Sequence, residues 1–321
     1  MFEQDASPTA RPRDWNFGIY WAQSRIEECL TPELTALIDT VQVDASYQHF
    51  EGSVFPIYHG YTMELMKELP APHAIRLKRR AWLDLLGTGV DVHVSRPLSL
   101  LTMRHANFLQ YSKKLQSIAT SDKGVTATFT DGTTESGTLL IGAEGAHSVT
   151  RNWLFQASPS DTSLHDVPIS SFCTLTKLPR DLASTIRALH PIYSMILDPS
   201  GQMTFVSTHD CAAEDPAEWV FMVLITWRLD EARDSEALAT DGELLLDRVC
   251  ELCAPLADPF GAMVRGIPRG TKAWYSRRLK YWPTRPWDGK GGRVTLAGDA
   301  AHAMTFRECF FFLGVLHTRV C

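Results

Sequence analysis

Ten residues near the end of the chain constrain its fold most. In Arg293-Val294-Thr295-Leu296-Ala297-Gly298-Asp299-Ala300-Ala301-His302 an apolar strand runs without a loop into a glycine, an acid and small residues. That order describes a strand turning at once into a helix, with the glycine easing the turn and the carboxylate standing at the helix start. A second stretch has the same grammar. Leu139-Leu140-Ile141 runs into Gly142-Ala143-Glu144-Gly145-Ala146-His147-Ser148, and Arg151 follows seven positions after the acid. The small residues let backbone approach a ligand closely, Ser148 is placed to cap the next helix, and Arg151 can hold that helix start or meet a phosphate.

Together the two stretches resemble the fingerprints of FAD-dependent monooxygenases, the group A flavoprotein hydroxylases of fungal secondary metabolism, with Glu144 where the family carries Asp. The resemblance implies an α/β fold, with a Rossmann-like FAD-binding domain and an inserted substrate domain built on a mixed or antiparallel sheet. It places the Asp299 carboxylate, flanked by Gly298 and Ala300, on the ribityl hydroxyls of FAD, and Gly142, Glu144, Gly145 and Arg151 near the dinucleotide. Met1-Phe2-Glu3-Gln4-Asp5 reads as the tail of the family's second strand, so Glu3 is expected to bind the adenosine ribose. Arg80, Leu83 and Leu86 match the spacing of an arginine that reaches the pyrophosphate, and the aromatic loop around Gly18 matches one that runs beside the flavin ring. Such enzymes draw electrons from NAD(P)H and pass one atom of dioxygen to a small molecule, here an aromatic, polyketide- or terpenoid-like substrate that is hydroxylated or epoxidised. The cofactor carries the hard chemistry. No catalytic acid or base is identifiable, and His302 is expected to be structural.

The fingerprints bracket a strand-rich middle, which predicts a discontinuous arrangement: residues 1–165 and 281–306 in the FAD domain, 166–280 in the substrate domain. Within the middle, Ile169 to Leu175, Tyr193 to Leu197, Met203 to Thr208 and Trp219 to Trp227 read as strands, and Asp198-Pro199-Ser200-Gly201 as a hairpin turn. Val125 to Phe129 alternates and ends near Asp131-Gly132, a second hairpin. Thr31-Pro32-Glu33, Ile75 to Leu86 and Glu243 to Leu256 read as helices, the second carrying Arg76, Lys78, Arg79 and Arg80.

Three departures from the family pattern are expected to matter. No Gly-x-Gly-x-x-Gly occurs, so about 30 residues, the first βα and most of the second strand, are expected to be missing upstream. Val94 to Gln110 interrupts pieces that abut in related sequences, and back-translation allows intron donor, branch and acceptor signals there; it reads as intron-derived. Arg307-Glu308-Cys309 likewise admits a donor signal, which makes 307–321 a foreign-looking tail. On this view the chain is a fragment truncated at both ends that does not turn over. Two other readings stand beside the monooxygenase: a non-catalytic product of a mis-spliced or mis-annotated gene, and an FAD-dependent reductase or dehydrogenase.

Composition narrows the partners. With 31 basic and 37 acidic residues, a net charge of −6 and 45% hydrophobic residues in 321, the chain is globular and offers no basic field for nucleic acid. No apolar run approaches the ~20 residues of a spanning helix, so a cytoplasmic location is the default. Seven dispersed cysteines suggest reduced thiols; Cys250 and Cys253 read as core residues of one helix, and no metal site is expected.

Overall fold

The structure is a computed structural model and describes residues 1–11, 14–20, 22–48, 50–72, 74–93 and 108–305. Two compact units emerge: residues 1–12, 89–167 and 279–321 form one, and 13–88 with 168–278 the other.

The second unit is built on a seven-stranded sheet in the order Ala273–Ser276, Ile169–Lys177, Val220–Arg228, Met203–Asp210, Tyr193–Leu197, Val54–His59, Leu65–Pro70. All pairs are antiparallel except Tyr193–Leu197 with Val54–His59. Period-two alternation sorts its side chains. Phe172, Ile196, Val206, Phe221, Val223 and Ile225 face the helices Arg180–Leu189, Gly242–Leu252 and Phe260–Arg265, which seat Ala183, Ile186, Val249, Phe260 and Met263 against them. Phe55, Tyr193, Met195 and Phe205 fall on the opposite face. The hairpin at Asp198 forms because its Oδ1 accepts the N–H groups of Ser200 (2.8 Å) and Gln202 (3.2 Å), while Gly201 takes φ +83°.

Two expectations need correction here. Residues 13–88 group with the strand-rich middle, not with residues 1–12, because Val54–His59 and Leu65–Pro70 extend its sheet and Asn16–Ile19 and Ile75–Lys78 pair with each other. The helix begins at Arg79, not Ile75. Ala74-Ile75-Arg76-Leu77-Lys78 alternates, and with Leu77 fully buried against Ile38, Val41 and Leu85 the strand wins. The Thr31 cap forms as read, accepting the Leu34 N–H, but its helix is one turn long. Helix Gly242–Leu252 stops with Cys253 at its C-cap. Cys253 is buried and its thiol is pushed up to about 12 by that burial; Cys250 is half-buried and also raised.

In the first unit, Leu115–Ser121, Gly124–Phe129 and Thr134–Gly137 make an antiparallel sheet with its turn at Gly132, φ +82°. Leu140–Gly142 pairs in parallel with Val294–Leu296, so the two fingerprint strands are direct neighbours. Ile118, Val125, Leu154, Val294, Leu296 and Ala300 form its core.

The excursion expected from Val94 to Gln110 lies mostly outside the described residues. Its last three do not behave as one: Phe108–Gln110 is a strand, parallel to Asp91–His93 and bridged to Phe2. The register is Asp91↔Phe108, Val92↔Leu109, His93↔Gln110, a constant offset of 17. Deleting Val94 to Gln110 removes the same number and joins His93 to Tyr111, so Asp91–His93 can move over by one strand spacing, about 4.8 Å, and pair with Phe2 in place of Phe108–Gln110. The deletion variant is expected to unfold cooperatively with an unchanged or higher thermal midpoint; loss of the cooperative transition would show the segment is integral.

A second prediction concerns acid stability. His209 is buried, and burial holds its imidazole below the usual value. The unfolded chain then binds more protons, so this contribution is complete above about pH 6.5 and declines as pH falls through the depressed native value. His209→Gln is expected to flatten the acid limb of the thermal midpoint plotted against pH below ~6.5; an identical limb would assign the effect elsewhere.

Candidate functional site

The second fingerprint is organised around its own helix. A Cβ at Gly142 would collide with Thr150, so only glycine lets the strand end pack on the helix start. The Glu144 carboxylate accepts the Ser148 hydroxyl (2.9 Å), the Thr150 N–H (2.9 Å) and the Thr150 hydroxyl, while Ser148 Oγ accepts the Arg151 N–H (3.0 Å). Glu144 and Ser148 thereby satisfy donors that open helix Val149–Leu154. Gly145, at φ +84°, leaves open space where a side chain would stand.

Arg151 links the two fingerprints. It is 2% exposed, yet its guanidinium donates to the carbonyls of Ala146 and Ala300 (3.1 Å), reaches that of Asp299 (3.5 Å), and lies 4.8 Å over the Trp282 ring. Burial lowers its pKa, and the nearby Glu144 charge opposes that. Of the two roles open to Arg151, holding a helix start or meeting phosphate, the structure shows the first kind: it is spent on backbone carbonyls. The Ala297 N–H completes the link by donating to Gly142 O at 2.9 Å.

Asp299 is left exposed by this arrangement. Gly298 takes φ +58°, ψ −144°, a backbone that disfavours any side chain, and a Cβ there would meet nothing within 4 Å. Ala300 is buried behind it, and the Asp299 carboxylate is exposed with no described partner. Glu3 lies elsewhere in this unit: its backbone N–H donates to Gln110 O, and one carboxylate oxygen accepts the Asp5 N–H. Arg80 and Gly18 belong to the other unit. The Arg80 N–H is capped by Asp14 (3.2 Å) and its guanidinium pairs with no described carboxylate. Gly18 sits mid-strand, where the Tyr20 ring would strike a Cβ. The structure therefore brings together Gly142, Glu144, Gly145, Arg151, Gly298, Asp299 and Ala300. Trp282 was missed by sequence reasoning, although a tryptophan in the Pro-rich return segment was a signal; the burial of Arg76 was missed with no such signal. Among the described residues no group of three potential ligands could hold a metal, and no helix is long and apolar enough to cross a membrane.

No family model matches the chain. The FAD-dependent monooxygenase cctM of Talaromyces islandicus is 37% identical over 310 residues, covering 96% of this chain and 71% of that protein. A protein of Photorhabdus luminescens described as an FAD-containing monooxygenase superposes with a TM-score of 0.70 at 19% identity, over 95% of this chain and 75% of its own. HpxO of Klebsiella pneumoniae, solved with FAD and uric acid, gives 0.64 at 16% identity, over 94% and 66%. The chain belongs to the FAD-dependent monooxygenases. Its α/β architecture is the family's, a Rossmann-like FAD-binding unit with an inserted mixed sheet.

The two acids at the site separate cleanly. Glu144→Ala removes a helix cap and is expected to cost about 0.5–2 kcal/mol of stability. Asp299→Ala touches no described contact, so its thermal midpoint should match the parent in the absence of flavin. Its FAD affinity is expected to fall about tenfold to a hundredfold, the equivalent of a lost charge-assisted hydrogen bond of about 1.5–3 kcal/mol. Titrating FAD against both variants and recording both melting curves checks this; an Asp299→Ala chain with parental flavin affinity would remove Asp299 from the site.

Proposed function

We propose that this monooxygenase hydroxylates or epoxidises an aromatic, polyketide- or terpenoid-like small molecule, taking electrons from NAD(P)H and oxygen from dioxygen. The observation that carries the reading is the exposed Asp299 carboxylate, held on a glycine turn that Arg151 locks to the neighbouring fingerprint. FAD bound there supplies the redox chemistry that joins an oxygen atom to carbon.

The residues present fit that cofactor. Asp299 offers an unengaged acceptor for hydroxyl donors, and the open spaces at Gly145 and Gly298 admit a ligand against bare backbone. Glu144 and Arg151 act one step back: their contacts fix the turn, so in this proposal they position rather than bind. Glu3 and Arg80 remain the proposed partners of the adenosine ribose and the pyrophosphate. Each carries charge with little described competition for it, one carboxylate oxygen of Glu3 and the guanidinium of Arg80. Gly18 is proposed at the flavin edge. A cytoplasmic setting supplies the reduced nicotinamide the reaction consumes.

Purified chain incubated with FAD, then desalted, is expected to retain the flavin absorbance bands. NADPH-dependent oxygen uptake stimulated by aromatic substrates is the second expected result. Flavin retention and NADPH oxidation without substrate-coupled oxygen incorporation would favour a reductase or dehydrogenase; no flavin retention would favour a non-catalytic product.

A further inference from the structure

The helix that carries Asp299 cannot hold itself in place. Asp299–His302 is one turn long, too short for its own hydrogen bonds to fix it, and a helix leaves its last carbonyls without partners of its own. Here those carbonyls are met from outside. Arg151 donates to Ala300 O (3.1 Å) and reaches Asp299 O (3.5 Å), the Thr284 hydroxyl donates to Ala301 O (3.1 Å), and the Trp282 N–H donates to Ala303 O (2.8 Å). Three residues remote in sequence from Asp299 therefore decide how its turn is oriented.

Among the three, Trp282 acts twice. Its backbone holds the helix end, and its ring lies 4.8 Å from the Arg151 guanidinium carbon, so it also holds the residue that grips the helix start. Arg151 Nε has no acceptor among the described residues, which leaves the ring face to help stabilise a cation shut away from water, where such a contact is strongest. The ring is fixed in turn. Its indole N–H donates to Asp161 O (2.7 Å), Phe155 packs edge-on at 5.7 Å, and the side chain is 2% exposed. The chain also arrives anchored, because Leu279–Tyr281 pairs antiparallel with His165–Val167. A smaller side chain at 282 would leave a void beside the guanidinium and let Arg151 drift from the carbonyls it holds.

We propose that Trp282 is a positioning residue for the flavin: without touching the cofactor, it fixes Arg151 and the helix end so that the Asp299 carboxylate is already aimed when FAD arrives. The inference rests on the proposed contact between Asp299 and FAD, and it adds a residue that lies outside both fingerprints. An acceptor ordered before binding loses less freedom on binding, so affinity rises with no new contact to the ligand.

Equilibrium binding tests this without turnover. FAD is titrated by calorimetry into the full chain carrying Trp282→Leu, Trp282→Phe, Asp299→Ala, or Asp299→Ala together with Trp282→Leu, and melting curves are recorded without flavin. Trp282→Leu is expected to weaken FAD binding about tenfold, whereas Trp282→Phe, which keeps a ring face for Arg151, is expected to stay within about threefold of the parent. The double variant separates positioning from general damage: with the Asp299 carboxylate gone, Trp282→Leu is expected to change the affinity by less than about twofold. If Trp282→Leu does not fold, Thr284→Val removes only the hydroxyl that holds Ala301 O, and is expected to weaken FAD about threefold in the parent and not beside Asp299→Ala. Parental affinity in whichever of the two folds, or a loss that persists undiminished beside Asp299→Ala, would overturn the proposal while leaving Asp299 in the site. Parental affinity in Asp299→Ala, or a parent chain that binds no FAD, would overturn the Asp299 reading and this inference with it.

Discussion

The flavin-side unit depends on one buried guanidinium. Arg151 spends its donors on the carbonyls of Ala146, Ala300 and Asp299, and these belong to two segments about 150 residues apart in the chain. Backbone carbonyls buried at a helix start need donors, and a planar fork supplies several from one side chain. Trp282 covers the face of that fork, and its indole N–H is taken by the Asp161 carbonyl, so the cover is itself fixed. The parallel pairing of Leu140–Gly142 with Val294–Leu296 aligns the two turns; Arg151 then holds them in register. Removing it would take a donor from three carbonyls, while Glu144, whose charge acts on Arg151 from the same turn, caps the helix that carries it, so the two are better understood as one device than as two ligands.

That device explains a division of labour the sequence motif conceals. Two acids occupy similar places, each after a strand and a glycine, and the motif treats them alike. Glu144 is consumed by Ser148 and Thr150, whereas Asp299 has no described partner. The difference comes from the residues just C-terminal to each acid. Ser and Thr at 148 and 150 bring donors back to Glu144, while Ala300 and Ala301 bring none to Asp299. An acid succeeded by alanines receives no hydrogen bond from the described residues that follow it.

Most of the sheet was legible from alternation. Tyr193–Leu197 was read to the residue, and the neighbouring strands differ from their reading by one or two residues at an end. The family was legible because its fingerprints are local: each is a strand end plus a turn, specified by residues adjacent in sequence. Arg76 was not legible as a buried group. Four basic residues among five positions look like a solvated helical face, and nothing local says that Leu77 would enter a core or that Asn16, sixty residues earlier, would meet the guanidinium. The grouping of residues 13–88 was hidden for the same reason. It results from a parallel pairing between Val54–His59 and Tyr193–Leu197, a contact across more than 130 residues with no short-range signal.

The two buried, unpaired-looking arginines make opposite use of the same chemistry. Arg151 has no described carboxylate in hydrogen-bond contact, yet both its terminal nitrogens are engaged, because carbonyl oxygens aimed at them provide the negative ends of fixed dipoles. Arg76 has one amide oxygen, a phenol and an aromatic face, a weaker set for the same charge. A fold can carry a charge in the first way purely for architecture. The second arrangement relies on an amide oxygen, a phenol and a ring face packed around the guanidinium.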